Sequence, residues 1–477
     1  MAIRVVKKGR AGQGAANEAG GVRRGVSASR RAAFEVLRRV EDEGAFASVL
    51  LASATTELRA DDRALCYELV LGCLRRQLWL DKLIEHYAKR DAGRLDAPVR
   101  RALRLGLYQL RFLTRIPPSA AVNESVNLAY EARLRSAANF INAVLRRATR
   151  EPDYDPAAQA TNELERLSIA ASHPRWLVER WTKFFGAGEV ESFAHANNET
   201  PPVAFRVNPL GANREEVLER LRGAGVAVQP SRIAPHAWRV EGAGGGSGGA
   251  ASPALLRALA GEGAIYMQDE ASQLVAHLVG ARACERVLDV CAAPGSKTTQ
   301  LAALSNDEAF VVAGDIYAHR LRTLGESAAR QNLKNVRLIA YDAEKWPLPF
   351  AAGAFERVLV DAPCTGTGTL RHNPEIRWRI TQADIAGLAA RQRRILAHAA
   401  QTVCSGGRLV YSTCSVEPEE NEEVVSAFLE THPGFKLIRP DVPEQLLTKE
   451  GAARTWPQRD GTEGFFVAVF ERQSGKG

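Results

Sequence analysis

Residues 286–304 read RVLDVCAAPGSKTTQLAAL, which is the pattern of a buried strand, a tight turn and the start of a helix. The apolar run from Val287 to Val290 is typical of a parallel strand that is covered on both faces. Pro294 and Gly295 end this strand, and Gly295 lets the backbone approach a ligand closely. Free N–H groups of the following helix then face the carboxyl end of the strand, where open α/β sheets bind ligands. We therefore expect a ligand pocket at this turn.

Three further apolar runs, each followed by an aspartate, continue this pattern. They precede Asp315, Asp342 and Asp361, and helix-like segments separate them. Strands that alternate with helices predict a doubly wound α/β domain. A carboxylate after the second strand can accept hydrogen bonds from a ribose diol, and we assign that role to Asp315. The turn at Gly295 has neither the G-x-G-x-x-G nor the P-loop pattern, which favours a nucleoside ligand without a phosphate chain.

The composition indicates a globular protein with two or three domains. The chain has 477 residues, of which 45% are hydrophobic, and its net charge is +8. This charge favours a polyanionic partner such as a nucleic acid. No apolar run approaches the roughly 18 residues that span a bilayer, and the N-terminus lacks the apolar core of a signal peptide, so we expect a cytoplasmic protein with no membrane partner. The seven cysteines lack C-x-x-C spacing, which predicts neither a disulfide framework nor a metal site.

The first part of the chain is predicted to be helical. Residues 1–24 have few large apolar side chains and are expected to form a flexible basic tail. Residues 25–150 contain apolar stripes with helical spacing, the clearest of which lies in VRRALRLGLYQLRFL. Arginines such as Arg101 and Arg104 lie mostly off this stripe. We therefore expect an all-helical domain with a basic face that contacts RNA phosphates.

The middle of the chain predicts a small α+β module at residues 160–250. VAFRVNPL and HAWRVEG have the character of strands, and a helix between them is expected to end at Gly223. Arg206 and Asn208 lie near the end of the first strand, where they either contact RNA or have a purely structural role. A glycine-rich loop at residues 242–250 closes the module, and the sheet domain is expected to follow at residues 251–472.

Two of the cysteines lie at equivalent positions in the predicted sheet. Cys364 follows VLVDAP and Cys414 follows RLVYST, so each comes just after a strand. Because neighbouring parallel strands end at the same edge, we expect both thiols beside the ligand pocket. A helix that begins at Pro418 favours a thiolate at Cys414, whereas Glu417, Glu419 and Glu420 oppose it. An isolated cytoplasmic cysteine is usually an inert apolar residue, but the shared position of this pair indicates a catalytic role.

Several motifs resemble those of known families. LRLGLYQLRFL, IPPSAAVNESVNLA and NFINAVLRR together resemble the NusB family of antitermination factors, which have an all-helical RNA-binding fold; this resemblance covers most of residues 27–150. VCAAPGSKTTQ, DAPCTGTGTLRHNPEIRW, RLVYSTC and DGTEGFFVAVF resemble the RNA cytosine-5 methyltransferases of the RsmB/Sun family, over about residues 165–472. The implied architecture is multidomain: an all-α NusB-like N-terminal domain, a small α+β module, and an α/β Rossmann-like class I methyltransferase domain.

The methyltransferase resemblance implies S-adenosylmethionine as the methyl donor. The residues that it implies for cofactor binding are Cys291, Ala292, Ala293, Pro294, Gly295, Ser296, Lys297, Asp315, Asp342 and Asp361. Asp315 would take the ribose and Asp342 the adenine edge. The loop after Cys364 is expected to hold a flipped-out nucleotide through the following residues: Arg371, His372, Asn373, Arg377 and Trp378.

The resemblance also implies how the reaction proceeds. C5 of cytosine is a poor nucleophile until a nucleophile adds at C6, and a thiolate is suited to that addition. The Thr-Cys cysteine of the family, here Cys414, is the nucleophile, and the Pro-Cys cysteine, here Cys364, assists release of the product. Asp361 is expected to hold a proton toward N3 of the base.

The expected function is methylation of C5 of a cytosine in small-subunit ribosomal RNA, by a monomer that needs no metal. Only the helical domain favours ribosomal RNA, so a transfer RNA cytosine-5 methyltransferase is an alternative. A non-catalytic factor for ribosome assembly or antitermination is a second alternative. The presence of Lys297, Asp315, Cys364 and Cys414 argues against that second alternative.

Overall fold

The computed structural model describes residues 25–242 and 251–474. The predicted basic tail at residues 1–24 and nearly all of the glycine-rich loop at residues 242–250 lie outside the described residues. The described chain forms a helical N-terminal domain, a small four-stranded sheet and a large eight-stranded sheet with helices on both faces.

The N-terminal domain is a helical bundle around one apolar core. The predicted stripe is confirmed, because Ala102, Leu103 and Leu107 are fully buried in that core together with Leu37 and Leu145. The helices are α1 (Ala28–Glu43), α2 (Ala47–Ala54), α3 (Ala60–Arg75), α4 (Gln77–Ala88), α5 (Ala97–Phe112), α6 (Pro118–Glu131) and α7 (Ala138–Arg150).

The arginines of α5 do not form the expected basic face. Arg101 is 2% exposed, and its Nε donates to Oε2 of Glu41 at 2.7 Å. Arg104 is also buried, and its Nε donates to Oδ1 of Asp81 at 2.7 Å. The helical pattern placed these side chains off the apolar stripe correctly. However, acidic residues of α1 and α4 cover them, so their charge is neutralised within the domain.

Three helices connect this bundle to the sheets. They are α8 (Glu163–Ala170), α9 (Arg175–Phe185) and α10 (Ala187–Ala196). Trp181 and Phe193 pack against Leu370 and Val416, which belong to loops of the large sheet. Helix α9, which carries Trp181, is therefore a packing element. Although these helices lie within residues 160–250, they cover the edge of the large sheet that carries the cysteine loops.

The small sheet is antiparallel, with the strand order β2-β3-β1-β4. Its elements are β1 (Ala204–Val207), α11 (Arg214–Gly223), β2 (Val228–Pro230), β3 (Ala237–Val240), α12 (Ala251–Gly261) and β4 (Ile265–Met267). Phe205 packs with Leu221 and Leu259 of the two helices. The sheet extends past residue 250, the boundary expected from the sequence, because Phe205 pairs with Met267 of β4. A three-residue strand carries too little alternation to be recognised without its partner.

The large sheet has a parallel centre and an antiparallel edge. Its strand order is β10-β12-β9-β8-β5-β6-β7, with β11 paired to β12. The strands are β5 (Arg286–Asp289), β6 (Phe310–Asp315), β7 (Val336–Ala340), β8 (Phe355–Asp361), β9 (Val403–Thr413), β10 (Phe435–Ile438), β11 (Ala453–Arg454) and β12 (Phe466–Arg472). The helices are α13 (Glu270–Val279), α14 (Ser296–Leu304), α15 (Ala318–Arg330), α16 (Ile376–Arg379), α17 (Gln382–Thr402), α18 (Glu422–Thr431) and α19 (Pro457–Asp460). The predicted doubly wound α/β fold is confirmed, and β8 and β9 are parallel neighbours, as the positions of the two cysteines require.

Residues 25–242 and 251–474 lack two kinds of feature. No helix there is both long enough and apolar enough to cross a membrane. No group of three or more His, Cys, Asp or Glu side chains there is arranged to hold a metal ion.

Candidate active site

The turn between β5 and α14 lines a cavity. Gly295 has a φ of +109°, and a Cβ atom there would lie 2.5 Å from Cγ of Leu324 on α15. Any other residue would therefore have to push α15 away and adopt a strained backbone. The N–H of Ala292 donates to the carbonyl of Gly314 at 2.7 Å, which ties the turn to the end of β6.

The cavity has a volume of about 260 Å³ and lies at the carboxyl ends of β5, β6, β8 and β9. Predicted site residues in its wall are Cys291, Ala293, Asp315, Asp342, Asp361, Cys364 and Cys414. The other predicted cofactor residues lie behind this wall, in the turn and the start of α14: Ala292, Pro294, Gly295, Ser296 and Lys297. Sequence reasoning missed Arg320, Tyr341 and Arg391, which also line the cavity, because single residues of these types follow no recognisable pattern.

Asp315 and Asp342 present carboxylates to the cavity. One oxygen of Asp315 accepts from the N–H of Tyr317 at 2.8 Å, and the other lies 3.5 Å from Nη1 of Arg320. Arg320 also donates to the carbonyl of Ala293 at 2.9 Å, so it bridges the turn and the acidic strand end. Oδ1 of Asp342 accepts from the N–H of Glu344 at 3.0 Å. Both carboxylates are thus oriented by the backbone and keep lone pairs for a ligand.

A further carboxyl group lies beneath the turn. Asp289, the last residue of β5, is 1% exposed, and its Oδ2 accepts from Thr298 Oγ1 at 2.7 Å. Its Oδ1 has no hydrogen-bond partner among the described residues. Burial, together with the nearby charge of Asp361, raises the pKa of Asp289 to about 7. Sequence reasoning passed over this residue, although it follows the same pattern of an apolar run ending in aspartate.

The two predicted catalytic thiols meet in the cavity. Sγ of Cys364 lies 3.3 Å from Sγ of Cys414, within hydrogen-bonding distance for sulfur. The hydrogen bond with Cys414 and burial raise the pKa of Cys364 well above the ordinary value of a thiol. Close backbone packing supports this geometry, since the N–H of Gly368 donates to the carbonyl of Cys414 at 2.9 Å. A Cβ atom at Gly368 would lie 2.0 Å from the carbonyl oxygen of Gly464, so only glycine fits.

Asp361 lies between the thiols and the turn and accepts hydrogen bonds on both oxygens. Nζ of Lys297 donates to Oδ2 at 2.8 Å, and Oγ of Ser412 donates to Oδ1 at 2.8 Å. Although burial lowers the pKa of Lys297, the charge of Asp361 and this hydrogen bond raise it above the ordinary value. Lys297 is therefore a protonated, nearly buried cation just behind the cavity wall.

A buried carboxyl group joins the two cysteine loops, a role that the sequence did not predict for it. Glu420 accepts from Oγ1 of Thr365 at 2.5 Å, from Oγ of Ser415 at 2.5 Å and from Nε2 of Gln392 at 2.9 Å. Burial raises the pKa of Glu420. The sequence contains a signal for such a shared acceptor, because a hydroxyl residue directly follows each cysteine: Thr365 after Cys364 and Ser415 after Cys414.

The structure does not support RNA contacts by Arg206 and Asn208. Arg206 is 4% exposed and donates to Thr299 Oγ1 at 2.8 Å and to Gln331 Oε1 at 3.0 Å. Asn208 is fully buried and donates to the carbonyls of Gly263 and Gln331, both at 3.0 Å. The prediction is corrected accordingly: both residues join the small sheet to the large one. Of the two roles left open by the sequence, the structural one is the role that these contacts support.

The loop after Cys364 mostly faces protein rather than the cavity. Arg377 is fully buried, and its Nη1 donates to Oδ1 of Asn198 at 2.8 Å. Nε1 of Trp378 donates to the carbonyl of Leu74 at 2.9 Å, and the buried Arg371 donates to the carbonyl of Thr200 at 3.2 Å. The buried Arg371 and Arg377 therefore make contacts between domains in place of the RNA contacts expected of them, whereas RNA contact by the half-buried Trp378 stays a prediction.

Two residues of the same loop remain accessible. Nδ1 of His372 lies 2.7 Å from Oε1 of Glu463, and the side chain of His372 is 38% exposed. Asn373 is half-buried, and its Nδ2 donates to Thr369 Oγ1 at 3.3 Å. For His372 and Asn373, contact with the substrate remains a prediction.

Family models match three parts of the chain. The model of the 16S rRNA methyltransferases RsmB/F matches residues 276–471, that of the NusB family matches residues 27–150, and that of a ferredoxin-like domain of RsmF/B-like methyltransferases matches residues 173–245. The first match corresponds to the large sheet, the second to the helical bundle, and the third to the small sheet with the helices that precede it.

Similar proteins cover nearly the whole chain. A probable ribosomal RNA small subunit methyltransferase B of Bacillus subtilis is 33% identical over 92% of this chain and 98% of its own length. A protein of the same name from Synechocystis is 35% identical over 93% of this chain and 99% of its own length. Among solved structures, that of PH0851 has a TM-score of 0.79 and 31% identity, and it covers 94% of this chain and all of the other.

The helical bundle, the small sheet and the two-cysteine cavity therefore belong together in one known architecture. A methyltransferase homologue from Pyrococcus horikoshii, with a TM-score of 0.55 and 27% identity, covers 66% of this chain and the whole of the other. The near-complete matches to the curated relatives include all three parts. The chain belongs to the ribosomal RNA small subunit methyltransferase B family, whose members are RNA methyltransferases.

Proposed function

We propose that this protein transfers a methyl group from S-adenosylmethionine to C5 of a cytosine in small-subunit ribosomal RNA, through a covalent bond between Cys414 and C6. The observation that carries this proposal is the 3.3 Å separation of Cys364 and Cys414 in a cavity that also contains Asp361. Two thiols so close together can act on the two faces or the two adjacent carbons of one C5=C6 bond.

The cavity has the chemistry that S-adenosylmethionine requires. Asp315 provides acceptors for a ribose diol, and Asp342 provides an acceptor for the adenine amino group, while Ile316 and Ile395 offer apolar surface to the rings. The acidic side chains in the wall favour the positively charged sulfonium and amino groups over a phosphate chain. When bound, the cofactor supplies an electrophilic methyl group.

The hydrogen bond between the thiols supports Cys414 as the nucleophile. Because the pKa of Cys364 is raised, Cys364 keeps its proton, and its S–H donates a hydrogen bond to the sulfur of Cys414, which attacks the base as a thiolate. The thiolate forms a bond to C6, and the C5=C6 electron pair moves onto the base as N3 takes up a proton. Lys297 and Asp361 form the proton-holding pair nearest to this chemistry. C5 is then electron-rich enough to accept the methyl group.

Product release requires the reverse electron flow. Cys364 accepts the proton from C5, the C5–H pair re-forms the C5=C6 bond, and the bond from C6 to Cys414 breaks to regenerate a thiolate. Before this step Cys364 gives up its own proton to water, once Cys414 is a thioether and no longer accepts its hydrogen bond, and N3 returns its proton to the pair of Lys297 and Asp361. One proton per transferred methyl group therefore leaves to water, so atoms and charge balance. The high intrinsic pKa of Cys364 makes its thiolate a strong base for this step.

Substitution of each cysteine tests the mechanism. Cys414→Ala should abolish both turnover and covalent attachment, whereas Cys364→Ala should allow attack and methyl transfer but accumulate the methylated base bound to Cys414. Each variant is incubated with S-adenosylmethionine and substrate RNA and then run on a denaturing gel, with Cys284→Ala as the control at an exposed cysteine outside the cavity. A persistent adduct in Cys414→Ala and none in Cys364→Ala would show that Cys364 is the nucleophile and Cys414 the release group, which is the arrangement expected of a DNA cytosine methyltransferase.

The substrate is tested separately. Small-subunit ribosomal RNA and bulk transfer RNA are offered to the enzyme with labelled cofactor, and the product is mapped by bisulfite sequencing. We expect label at a cytosine of the ribosomal RNA. Label only in transfer RNA would favour the alternative substrate, and label at an atom other than C5 would rule out the proposed chemistry.

A further inference from the structure

A cavity of about 490 Å³ lies where the helical domain, the small sheet and the loop after Cys364 meet. Helix α3 contributes Tyr67 and Glu68 to its wall, β4 contributes Met267, and the loop contributes His372. The volume falls within the roughly 300–1000 Å³ of ordinary ligand pockets. Because the described walls of this cavity and of the active cavity share no residue, a group bound here would leave the methyl-transfer site free.

The wall of this cavity offers accessible apolar surface. Met267 is 39% exposed. Other apolar members of the wall are half-buried: Tyr67, Leu71, Pro201 and Pro202. Thioether groups and aromatic rings both pack well against flat rings. The wall is therefore suited to a planar group such as a nucleobase.

Two polar side chains of the wall complement a nucleotide. Oε1 of Glu68 accepts from the hydroxyl of Tyr108 at 2.5 Å. Glu68 is exposed, and its Oε2 has no hydrogen-bond partner in the described part of the chain, so this oxygen can accept from the amino group of a base. Nδ1 of His372 is paired with Glu463, and the side chain of His372 is 38% exposed. Although burial lowers the pKa of His372, the charge of Glu463 and their hydrogen bond raise it above the ordinary value, so the ring is a cation that can pair with a phosphate group.

A short chain of contacts joins this cavity to the reacting thiol. The N–H of Gly368 donates to the carbonyl of Cys414 at 2.9 Å, and the N–H of Gly464 donates to the carbonyl of Gly368 at 2.8 Å. Glu463, which precedes Gly464, pairs with His372 in the cavity wall. A nucleotide that neighbours the target base in the RNA chain can therefore reach the cavity while the target base lies beside Cys414.

We propose that this cavity binds the base of a nucleotide that flanks the target cytosine, an inference that rests on the proposed function. The base stacks on Tyr67 and Met267 and donates its amino group to Glu68, and its phosphate lies near His372. A protein segment would find the same apolar surface, but the short path from Cys414 favours the RNA strand that carries the target base.

Equilibrium binding to the full-length protein tests the cavity. The probe is a fragment of the RNA that accepts the methyl group, cut around the labelled nucleotide, and S-adenosylhomocysteine is present throughout. Met267→Glu should weaken binding about tenfold, because it places a carboxylate where the base and its phosphate lie. The matched control is Leu338→Glu on β7, since Leu338 is 42% exposed and lies outside the described wall of the cavity. Equal affinity in the two variants would overturn the proposal.

Glu68→Gln tests the polar contact by the sign of its effect. Removal of a negative charge should by itself strengthen RNA binding. The proposal requires the opposite, because the glutamine oxygen stays with the hydroxyl of Tyr108 and its amide then points a donor at the amino group of the base, so affinity should fall several-fold. Glu57→Gln, at an exposed position of the same domain, is the control. Binding by Glu68→Gln that is as tight as that of Glu57→Gln would contradict the proposal.

Abasic nucleotides in the probe identify the bound base. When they replace the flanking nucleotides one at a time, one position should weaken binding to the natural protein about tenfold, and at that position the difference between Met267→Glu and Leu338→Glu should vanish. A difference that persists at every position would show that the cavity holds no flanking base. Methyl transfer to an atom other than C5 would refute the proposed function and leave these binding results unaffected, so the two failures are distinguishable.

Discussion

At the scale of single residues, one buried carboxyl group controls the positions of both cysteines. The carboxylate of Glu420 accepts four hydrogen bonds, from the N–H and hydroxyl of Thr365, the hydroxyl of Ser415 and the amide of Gln392. Thr365 and Ser415 are the neighbours of Cys364 and Cys414, so Glu420 couples the two loops. A group that touches neither base nor cofactor thus sets the distance between the thiols.

Glu420→Gln should impair catalysis without removing a thiol. Glutamine can keep its oxygen toward the N–H of Thr365 and the amide of Gln392, but its NH₂ would force the hydroxyls of Thr365 and Ser415 to accept instead of donate. The network that joins the loops should therefore loosen, and turnover should fall roughly 10- to 100-fold, which corresponds to about 1–3 kcal/mol. Cofactor affinity should change little, because Glu420 does not line the cavity. Single-turnover kinetics and calorimetry measure the two effects. Glu423→Gln, at an exposed position of the following helix, is the control, and equal turnover in both variants would contradict the coupling role.

Asp315→Ala should weaken cofactor binding. The ribose diol would lose its charged acceptor, at a cost of about 1.5–4 kcal/mol for one or two hydrogen bonds. Calorimetric titration with S-adenosylmethionine measures the effect, and Glu326→Ala, an exposed carboxylate on the next helix, serves as the control. Unchanged affinity in a folded Asp315→Ala protein would remove this residue from the cofactor site.

Asp289→Asn should stabilise the protein in a pH-dependent way. The native pKa of about 7 lies above the ordinary value of 3.8, so the native state holds a proton that the unfolded state has lost at intermediate pH. The free energy of unfolding of the natural protein should therefore fall as pH rises from about 4 to about 7. The variant has no carboxyl group to ionise at this position, so above pH 7 it should be more stable than the natural protein by roughly 1–4 kcal/mol. Thermal unfolding at pH 4.5 and pH 8 tests this, and a difference between the proteins that does not grow with pH would be contrary evidence.

At the scale of elements, the short helix α16 and the residue before it hold the junction between α1 and α2. Arg379 donates to the carbonyls of Val40 and Gly44, at 2.7 Å and 2.8 Å, at the end of α1. Glu375 accepts from the N–H of Ala47 at 2.8 Å, at the start of α2. Each charge therefore faces the helix end of opposite partial charge. Because α16 lies in the loop that follows Cys364, this contact links the helical domain to the catalytic region.

Arg379→Ala should loosen the helical domain. Loss of its hydrogen bonds to backbone carbonyls should weaken the docking of the helical domain on the rest of the chain by about 1–3 kcal/mol. The segment between α7 and α8 should then become more accessible to proteases. Limited proteolysis compares the variant with Arg394→Ala, which loses only an exposed ion pair with Glu344. If the two variants are cleaved at the same rate, α16 does not hold the domain.

At the scale of the whole molecule, the net positive charge is not spread over the surfaces that the sequence pattern indicated. Arg101 and Arg104 are neutralised inside the helical domain. Arg146 on α7 is exposed, and its described hydrogen bond goes to the neutral Asn142, so its charge is available to a polyanion. RNA attraction by this domain should therefore depend on arginines such as Arg146.

Arg146→Gln should weaken RNA binding and make it less sensitive to salt. Loss of one phosphate contact should lower the slope of the logarithm of affinity against the logarithm of salt concentration by about one. The matched control is Arg38→Gln, whose natural side chain is already paired with Glu35 and Glu43. A salt slope that is the same in Arg146→Gln and in the unmodified protein would place the phosphate contacts elsewhere.

The sequence by itself determined the features that depend on local pattern. The strand, turn and helix at residues 286–304, the aspartate at the end of β6 and the placement of both cysteines after neighbouring strands were all predictable. Each follows from the spacing of apolar residues over a few turns or strands, and the carboxyl ends of parallel strands necessarily meet at one edge.

Only the tertiary structure decided which polar residues are buried, and against what. Arg206 and Arg377 have the appearance of RNA ligands in the sequence, yet residues distant along the chain, Gln331 for one and Asn198 for the other, enclose them. Glu420 similarly gains its role only when β8, β9 and α17 are assembled. The burial of a long polar side chain depends on surfaces contributed by other domains, and no local spacing of residues contains that information.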